Sequence, residues 1–107
     1  MPDLIKKNIL VTRPHRQRAE WQYTYVLQSL KDNKLYIGWT DNLTERLTEH
    51  KLGKVDSTKW RRPLELIYYE VCLSKETAIK RERYFKTGFG RRFLKNRLAG
   101  SRGGRAG

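Results

Sequence analysis

Cysteine and long apolar runs are nearly absent from this chain of 107 residues. Its single cysteine, Cys72, allows neither an internal disulfide nor a cysteine-rich zinc site. Because Cys72 lies in a short apolar run, we interpret it as a small buried core residue and not as a nucleophile. No apolar run approaches transmembrane length, and the first residues lack the apolar segment of a signal peptide. We therefore expect a soluble, cytoplasmic protein.

Acidic side chains are also few. The chain has 11 Asp and Glu against 24 Lys and Arg, which gives a formal net charge of +13. An excess of this size, spread along the whole chain, indicates a polyanionic partner. Nucleic acid is the partner we expect, and its phosphates would make the affinity depend on salt. Charge alone does not separate an enzyme from a ribosomal or architectural protein.

Three segments are predicted. Residues 1–20 show weak periodicity and form a basic N-terminal arm. Residues 21–98 have the apolar patterning of one folded domain with a modest core. Residues 99–107 consist of Gly, Arg, Ser and Ala, cannot bury apolar surface, and are predicted to be a disordered tail.

The folded segment begins with two alternating strands, 21–29 and 35–40, joined by a polar turn into an antiparallel hairpin. Gly38 inside the second strand suggests a close backbone approach or a bulge. Thr40 and Asp41 offer an N-cap for a helix over 42–52, which Gly53 would end.

The second half predicts one strand and two helices. Residues 64–72 carry apolar side chains on both faces, which is typical of a central strand covered on both sides. Ser74 caps a helix to about Lys86, Gly88 follows as its C-terminal residue, and 89–98 form a basic third helix. The order β-β-α-β-α-α predicts an α/β fold, a three-stranded, mostly antiparallel sheet flanked by helices.

The helix after the hairpin carries Arg46 and His50, which are four residues apart and share one face. Both flank the apolar stripe of that helix, where a guanidinium could hold a phosphate and stabilise charge in a transition state. The alternative is a surface ion pair with Glu45 or Glu49, which is the more common role of a helical arginine.

Glu82 is the most informative residue. It falls between Ala78 and Phe85 in the apolar stripe of the next helix, where a carboxylate needs a metal, an arginine or solvent. Pairing with Arg83 or Lys86 is the structural alternative. A single carboxylate suits a Mg²⁺ ion that keeps waters and shares its ligands with a substrate phosphate.

Tyrosines are common in strands for structural reasons. Tyr25 and Tyr36 flank the hairpin loop and can lie near each other, yet a phenol is a useful base only with a cation or metal nearby. From the residues alone, structural roles for these tyrosines are favoured.

A resemblance becomes clear when these residues are taken together. The spaced motifs are Tyr23-Thr24-Tyr25, Tyr36-Ile37-Gly38, Arg46, His50 and Glu82. This combination resembles the GIY-YIG nuclease superfamily, and within it the small stand-alone bacterial members similar to the N-terminal nuclease domain found in excinuclease ABC. The first motif departs from the family pattern by lacking its glycine and isoleucine, but its last tyrosine is kept.

The resemblance implies a fold, an activity and a set of roles. Tyr25 and Tyr36 would line the site, one of them as general base for the attacking water. Arg46 would hold the scissile phosphate, with His50 as a second polar helper. Glu82 would be the ligand of Mg²⁺, or Mn²⁺, in a DNA endonuclease, with no small-molecule cofactor.

Basic residues around this site are candidates for contacts with the nucleic-acid backbone. These are Lys54, Lys59, Arg61, Arg62, Arg91, Arg92, Lys95 and Arg97. Trp39 and Trp60 could stack on a base, although we favour a partly buried position for at least one of them. The rival interpretation is a non-catalytic nucleic-acid-binding protein that keeps the GIY-YIG fold.

Overall fold

The computed structural model describes residues 21–106, with side chains to residue 99. The predicted basic arm, 1–20, lies outside the described residues. The elements, in chain order, are β1 Gln22–Ser29, β2 Leu35–Thr40, α1 Leu43–Lys51, a short 3-10 helix Lys59–Arg61, β3 Leu64–Cys72, α2 Lys75–Phe85 and α3 Gly88–Ala106. This order confirms the predicted α/β fold with the sequence β-β-α-β-α-α.

The three strands form one antiparallel sheet in the order β2-β1-β3. The central strand is therefore β1, and the prediction that residues 64–72 form the central strand is wrong. Apolar residues on both faces of β3 do not reflect burial on both faces, because Tyr69 and Val71 remain about half exposed. The run of four buried residues lies instead in β1, from Thr24 to Leu27.

The predicted hairpin is confirmed, with Tyr25 paired to Gly38 and Leu27 paired to Tyr36. Asn33 takes a positive φ of 63° in its turn, a conformation that asparagine tolerates better than most residues. The chain folds back here with β1 and β2 side by side, which fixes which tyrosines face each other.

Helix ends follow from local hydrogen bonds. The N-cap of α1 is Asn42, whose side chain accepts from the Glu45 amide at 3.1 Å, so the predicted cap at residues 40–41 is wrong by one or two positions. Ser74 caps α2 as predicted, because its hydroxyl accepts from the Thr77 amide. Gly88 does not end α2; it is the first residue of α3.

A compact apolar core lies between the sheet and the last two helices. Val26 and Ile37 from the sheet meet Phe85 of α2 and Leu94 of α3. On the same face, the Thr24 hydroxyl donates to the Ala78 carbonyl at 2.8 Å, which ties β1 to α2. The second and third helices therefore cover the face of β1 that carries Thr24 and Val26.

The last helix is longer than predicted. Its backbone continues to Ala106, through residues assigned from composition to a disordered tail. The prediction rested on the lack of apolar side chains, but an established helix extends by one backbone hydrogen bond per residue without needing burial. Within the described part of the chain, no helix is both long enough and apolar enough to span a bilayer.

Candidate active site

The other face of β1 carries Tyr25, which is only 1% exposed. Its partner across the hairpin is Gly38, and a Cβ atom added to Gly38 would lie 2.7 Å from the Tyr25 hydroxyl oxygen. Any side chain at this position would displace the phenol. The glycine therefore marks a close approach, while the irregularity in the sheet lies elsewhere, between β1 and β3 at Val26 and Leu27.

A chain of buried hydrogen bonds begins at Tyr25. Its hydroxyl lies 2.9 Å from Nε2 of His50, and Nδ1 of His50 lies 2.7 Å from Oγ1 of Thr58. His50 is 1% exposed and Thr58 is fully buried. This Tyr25–His50–Thr58 chain links the central strand, α1 and the following loop.

We assign the proton of His50 to Nδ1. The hydroxyl of Thr58 has a further acceptor in the Val55 carbonyl at 3.5 Å, which leaves its oxygen to accept from His50. The guanidinium of Arg46, which can only donate, interacts with the Tyr25 hydroxyl oxygen. The Tyr25 proton then points to Nε2, whose lone pair is free to accept it.

The environment keeps both rings neutral at physiological pH. Burial, together with the charge of Arg46, lowers the pKa of His50 to about 4. Burial raises the pKa of Tyr25 to about 12, and the opposing effect of Arg46 is too small to prevent this. Near neutral pH, His50 is therefore a neutral acceptor and Tyr25 a neutral donor.

Arg46 is held in place by α1 itself. Its Nη1 lies 2.8 Å from Oε1 of Glu49, one turn along the helix, and this hydrogen bond raises the pKa of the guanidinium further. The ion pair expected as the structural alternative is thus present. Arg46 also lines a shallow pocket of about 310 Å³ with Trp39 and Thr40, so its partly exposed guanidinium is open to a ligand.

Tyr36 completes this group of side chains. Its ring centroid lies 5.1 Å from that of His50 and 6.2 Å from that of Tyr25. Four of the five predicted catalytic residues therefore lie together, although their roles stay predictions.

Glu82 is not hydrogen-bonded to this group; its carboxylate accepts from Lys86 at 3.2 Å. Its position follows from helix geometry, because residues seven apart lie on nearly the same side of a helix. Lys75, seven residues earlier, places its ammonium 5.3 Å from the ring centroid of Trp39 in β2. Glu82 thus lies on the side of α2 that faces β2, and Trp39 also lines the pocket of Arg46.

The donor set fits only one kind of metal site. Among the side chains that the structure describes, no three His, Cys, Asp or Glu residues are close enough to enclose a metal ion. Glu82 offers one partly exposed carboxylate with a single weak ion pair. A Mg²⁺ ion that keeps most of its waters and shares a substrate phosphate fits this donor set.

The predicted backbone contacts divide into two groups. Arg91, Arg92, Lys95 and Arg97 project from α3 as exposed cations, and Lys54 is exposed in the loop after α1. The others have structural partners: Lys59 pairs with Asp56 and Arg61 with Asp32.

Arg62 has a structural partner too. Its guanidinium donates to the Lys51 carbonyl at 3.2 Å, and Arg62 thereby caps the end of α1. Gly53, with a φ of +77°, leaves room for this guanidinium, since a Cβ there would lie 2.7 Å from Cζ of Arg62. Its capping role is an addition to the predicted one.

Sequence analysis missed Thr58. It lies eight positions after His50, in a basic loop without periodicity, and no motif marks it. Only the folding of the loop over the end of α1 brings its hydroxyl to the imidazole. Nothing in the sequence pattern would have identified it.

Comparison with known families decides the identity of the domain. A family model described as the GIY-YIG catalytic domain matches residues 22–96. The chain belongs to the GIY-YIG family. This is a family of nucleases that generally depend on a divalent metal ion, so its members act on phosphodiester bonds of nucleic acid.

Two bacterial relatives illustrate the similarity. A UPF0213 protein of Staphylococcus haemolyticus is 44% identical over 66 residues, which cover 61% of this chain and 79% of that protein. A UPF0213 protein of Streptococcus pyogenes serotype M3 is 46% identical over 65 residues, which cover 60% of this chain and 70% of that protein. Neither name states an activity. No solved structure matches this chain.

Proposed function

We propose that this GIY-YIG protein is a divalent-metal-dependent endonuclease that hydrolyses DNA phosphodiester bonds, in DNA repair, recombination or processing. The observation that carries the proposal is the buried Tyr25–His50–Thr58 chain beside Arg46. A polar chain in this position ends at a hydroxyl that can pass its proton inward, next to a cation that can hold a phosphate. A cytoplasmic, nucleoid-associated location stays a prediction.

Tyr25 acts as the general base through His50. As the attacking water gives its proton to the Tyr25 oxygen, Tyr25 gives its own proton to Nε2 of His50. The water oxygen forms a bond to phosphorus, and the bond from phosphorus to the leaving oxygen breaks. Tyr25 stays neutral throughout, which avoids forming a phenolate whose acid has a pKa of about 12. This route favours Tyr25 over Tyr36 as the base.

Arg46 binds the phosphate that is attacked. Its guanidinium can donate two parallel hydrogen bonds to non-bridging oxygens, which gain charge in the transition state. Glu49 holds the guanidinium on the exposed side of α1, so little ordering remains to be done when the substrate binds.

Glu82 would hold the metal ion. When bound, the ion supplies Lewis-acid stabilisation of charge on the phosphate and the leaving oxygen. The carboxylate needs no proton transfer for this role. Its position on the β2 side of α2 supports the assignment, because Trp39 borders both that side and the pocket of Arg46.

The test is cleavage of a panel of single-stranded, duplex and branched DNAs with Mg²⁺ or with a chelator. The wild type should cut at least one member only when the metal is present. Arg46→Ala should lower the rate by on the order of 100-fold or more while DNA binding is largely kept. Glu82→Gln should stay folded, bind DNA, and lose metal-dependent cleavage.

Two outcomes would contradict the proposal. Binding of the panel by the wild type without any cleavage would support the non-catalytic alternative. An unchanged Mg²⁺ dependence in Glu82→Gln would remove Glu82 from the metal site.

A further inference from the structure

A second concave surface lies on the face of the sheet that carries Tyr25. It is a cleft of about 770 Å³ between α1, the strands β1 and β3, and the loop that contains Trp60. Four leucines form its apolar surface: Leu27, Leu47, Leu64 and Leu66. We call it the Trp60 cleft. His50 also lines it, so the cleft and the Tyr25–His50–Thr58 chain share one residue.

Trp60 is unusual for a tryptophan because 75% of its surface is exposed. The loop that presents it is nevertheless firmly held. The Ser29 hydroxyl donates to the Arg61 carbonyl at 2.6 Å, and the Lys31 ammonium donates to the Trp60 carbonyl at 3.1 Å. A rigid, exposed aromatic ring is an effective binding platform, because little conformational entropy is lost when a partner stacks on it.

The charged residues of the cleft are all basic. Lys31, Lys51, Lys59 and Arg62 line it, and no acidic side chain does. The ammonium of Lys59 lies 5.4 Å from the centroid of the Trp60 ring. The cleft therefore combines an apolar surface, an aromatic platform and cations, a combination that complements a base together with the phosphates on either side of it.

We propose that the Trp60 cleft binds one unpaired nucleobase of the DNA strand, so that the substrate is single-stranded or locally unpaired DNA. This inference rests on the proposed function, because it names the class of DNA on which that function acts. Cations alone would suit any nucleic acid, but the leucines and Trp60 offer nothing to a phosphate. A base inside a duplex is already stacked on both faces, whereas an unpaired base can stack on Trp60.

The cleft is placed to serve the active site. Leu47 and His50 line it, and Arg46 is the chain neighbour of Leu47 on the adjoining side of α1. A strand with one base in the cleft would continue over α1 toward Arg46. Binding of the base would thereby fix which phosphodiester lies at the guanidinium.

Binding to the full chain, measured with a chelator present, tests the inference without cleavage. The ligands are a labelled single strand, the same strand made abasic, and a duplex of the same sequence. Trp60→Ala should weaken binding of the intact single strand by on the order of tenfold. Its affinities for the abasic strand and the duplex should stay as in the wild type, and Trp60→Phe should keep most of the single-strand affinity.

Phe89→Ala is the matched control, since Phe89 is 73% exposed but lies on α3, away from the cleft. It should bind all three ligands like the wild type. Melting temperatures of the variants should equal that of the wild type because both rings are exposed. No loss in Trp60→Ala, or an equal loss on all three ligands, would overturn the inference.

Cleavage of the same strands with Mg²⁺ separates this inference from the proposed function. A selective loss of single-strand binding without cleavage by the wild type would support the cleft and contradict the nuclease. Cleavage by the wild type with no selective loss in Trp60→Ala would support the nuclease and contradict the cleft.

Discussion

The two faces of β1 are equally buried but chemically different. On one face, Val26 packs against Phe85 and Leu94, and all three are completely buried apolar side chains. On the other face, Tyr25 and His50 are 1% exposed, yet they carry polar groups joined by a hydrogen bond. One strand thus separates an apolar core from a buried polar cluster.

This difference shows where stability and chemistry are located. Apolar burial stabilises a fold with no requirement for direction, whereas a buried polar group destabilises it unless its hydrogen bonds are satisfied. The polar face is satisfied only by a specific set of partners, ending at Thr58. We infer that the Val26 face holds the domain together and that the Tyr25 face serves the reaction.

The largest effect on stability should come from the apolar face. Phe85→Ala removes a fully buried ring from the core and should lower the free energy of unfolding by about 3–5 kcal/mol. Urea denaturation measures this directly, with the exposed Phe89→Ala as control. A small change in Phe85→Ala would show that the core does not depend on this face.

His50 should make stability depend on pH. Its pKa is about 4 in the folded chain and 6.5 in the unfolded chain, so the unfolded state binds the proton more readily. The free energy of unfolding should therefore fall as the pH is lowered from 6.5 toward 4. His50→Gln should show a smaller fall over this range, and an unchanged pH dependence in this variant would contradict the neutral, buried state of His50.

Thr58 should affect both stability and rate. Thr58→Val keeps the shape but leaves the Nδ1 proton of His50 without an acceptor, which should cost about 1–3 kcal/mol of unfolding free energy. Because the ring loses its fixed tautomer, the single-turnover cleavage rate should fall while DNA affinity is kept. Thr58→Ser, which restores the hydroxyl, should recover both. Recovery of stability without recovery of rate would limit Thr58 to a structural role.

The smallest effect should come from the chain end, far from both faces. Removing residues 100–107 deletes Arg102 and Arg105. If both contact phosphates, the slope of log affinity against log salt should fall by about one to two units, with the cleavage step intact. An unchanged slope would show that these residues do not contact nucleic acid.

Much of the fold could be predicted because it rests on local patterns. The alternation before residue 30, the cap at Ser74 and the stripe from Ala78 to Phe85 each act within one element. The strand order was not local: which strand is central depends on how the elements pack, and apolar residues on both faces of β3 gave the wrong answer.

The site divides along the same line. Arg46 and His50 could be selected because their spacing places them on one helix face. The tyrosines were recognised only by resemblance, since a strand tyrosine is usually structural. Thr58 and the exposed state of Trp60 depend on the path of an irregular loop, which no periodicity encodes.

The central claim is that Tyr25, connected to His50, is the base of the reaction. Single-turnover cleavage by Tyr25→Phe and Tyr36→Phe, each with saturating DNA and Mg²⁺, tests it most directly. Tyr25→Phe removes the hydroxyl that relays the proton, so its rate should fall by on the order of 100-fold or more, and Tyr36→Phe should fall much less. A Tyr25→Phe variant that cuts at the wild-type rate, or a larger loss in Tyr36→Phe, would contradict the account.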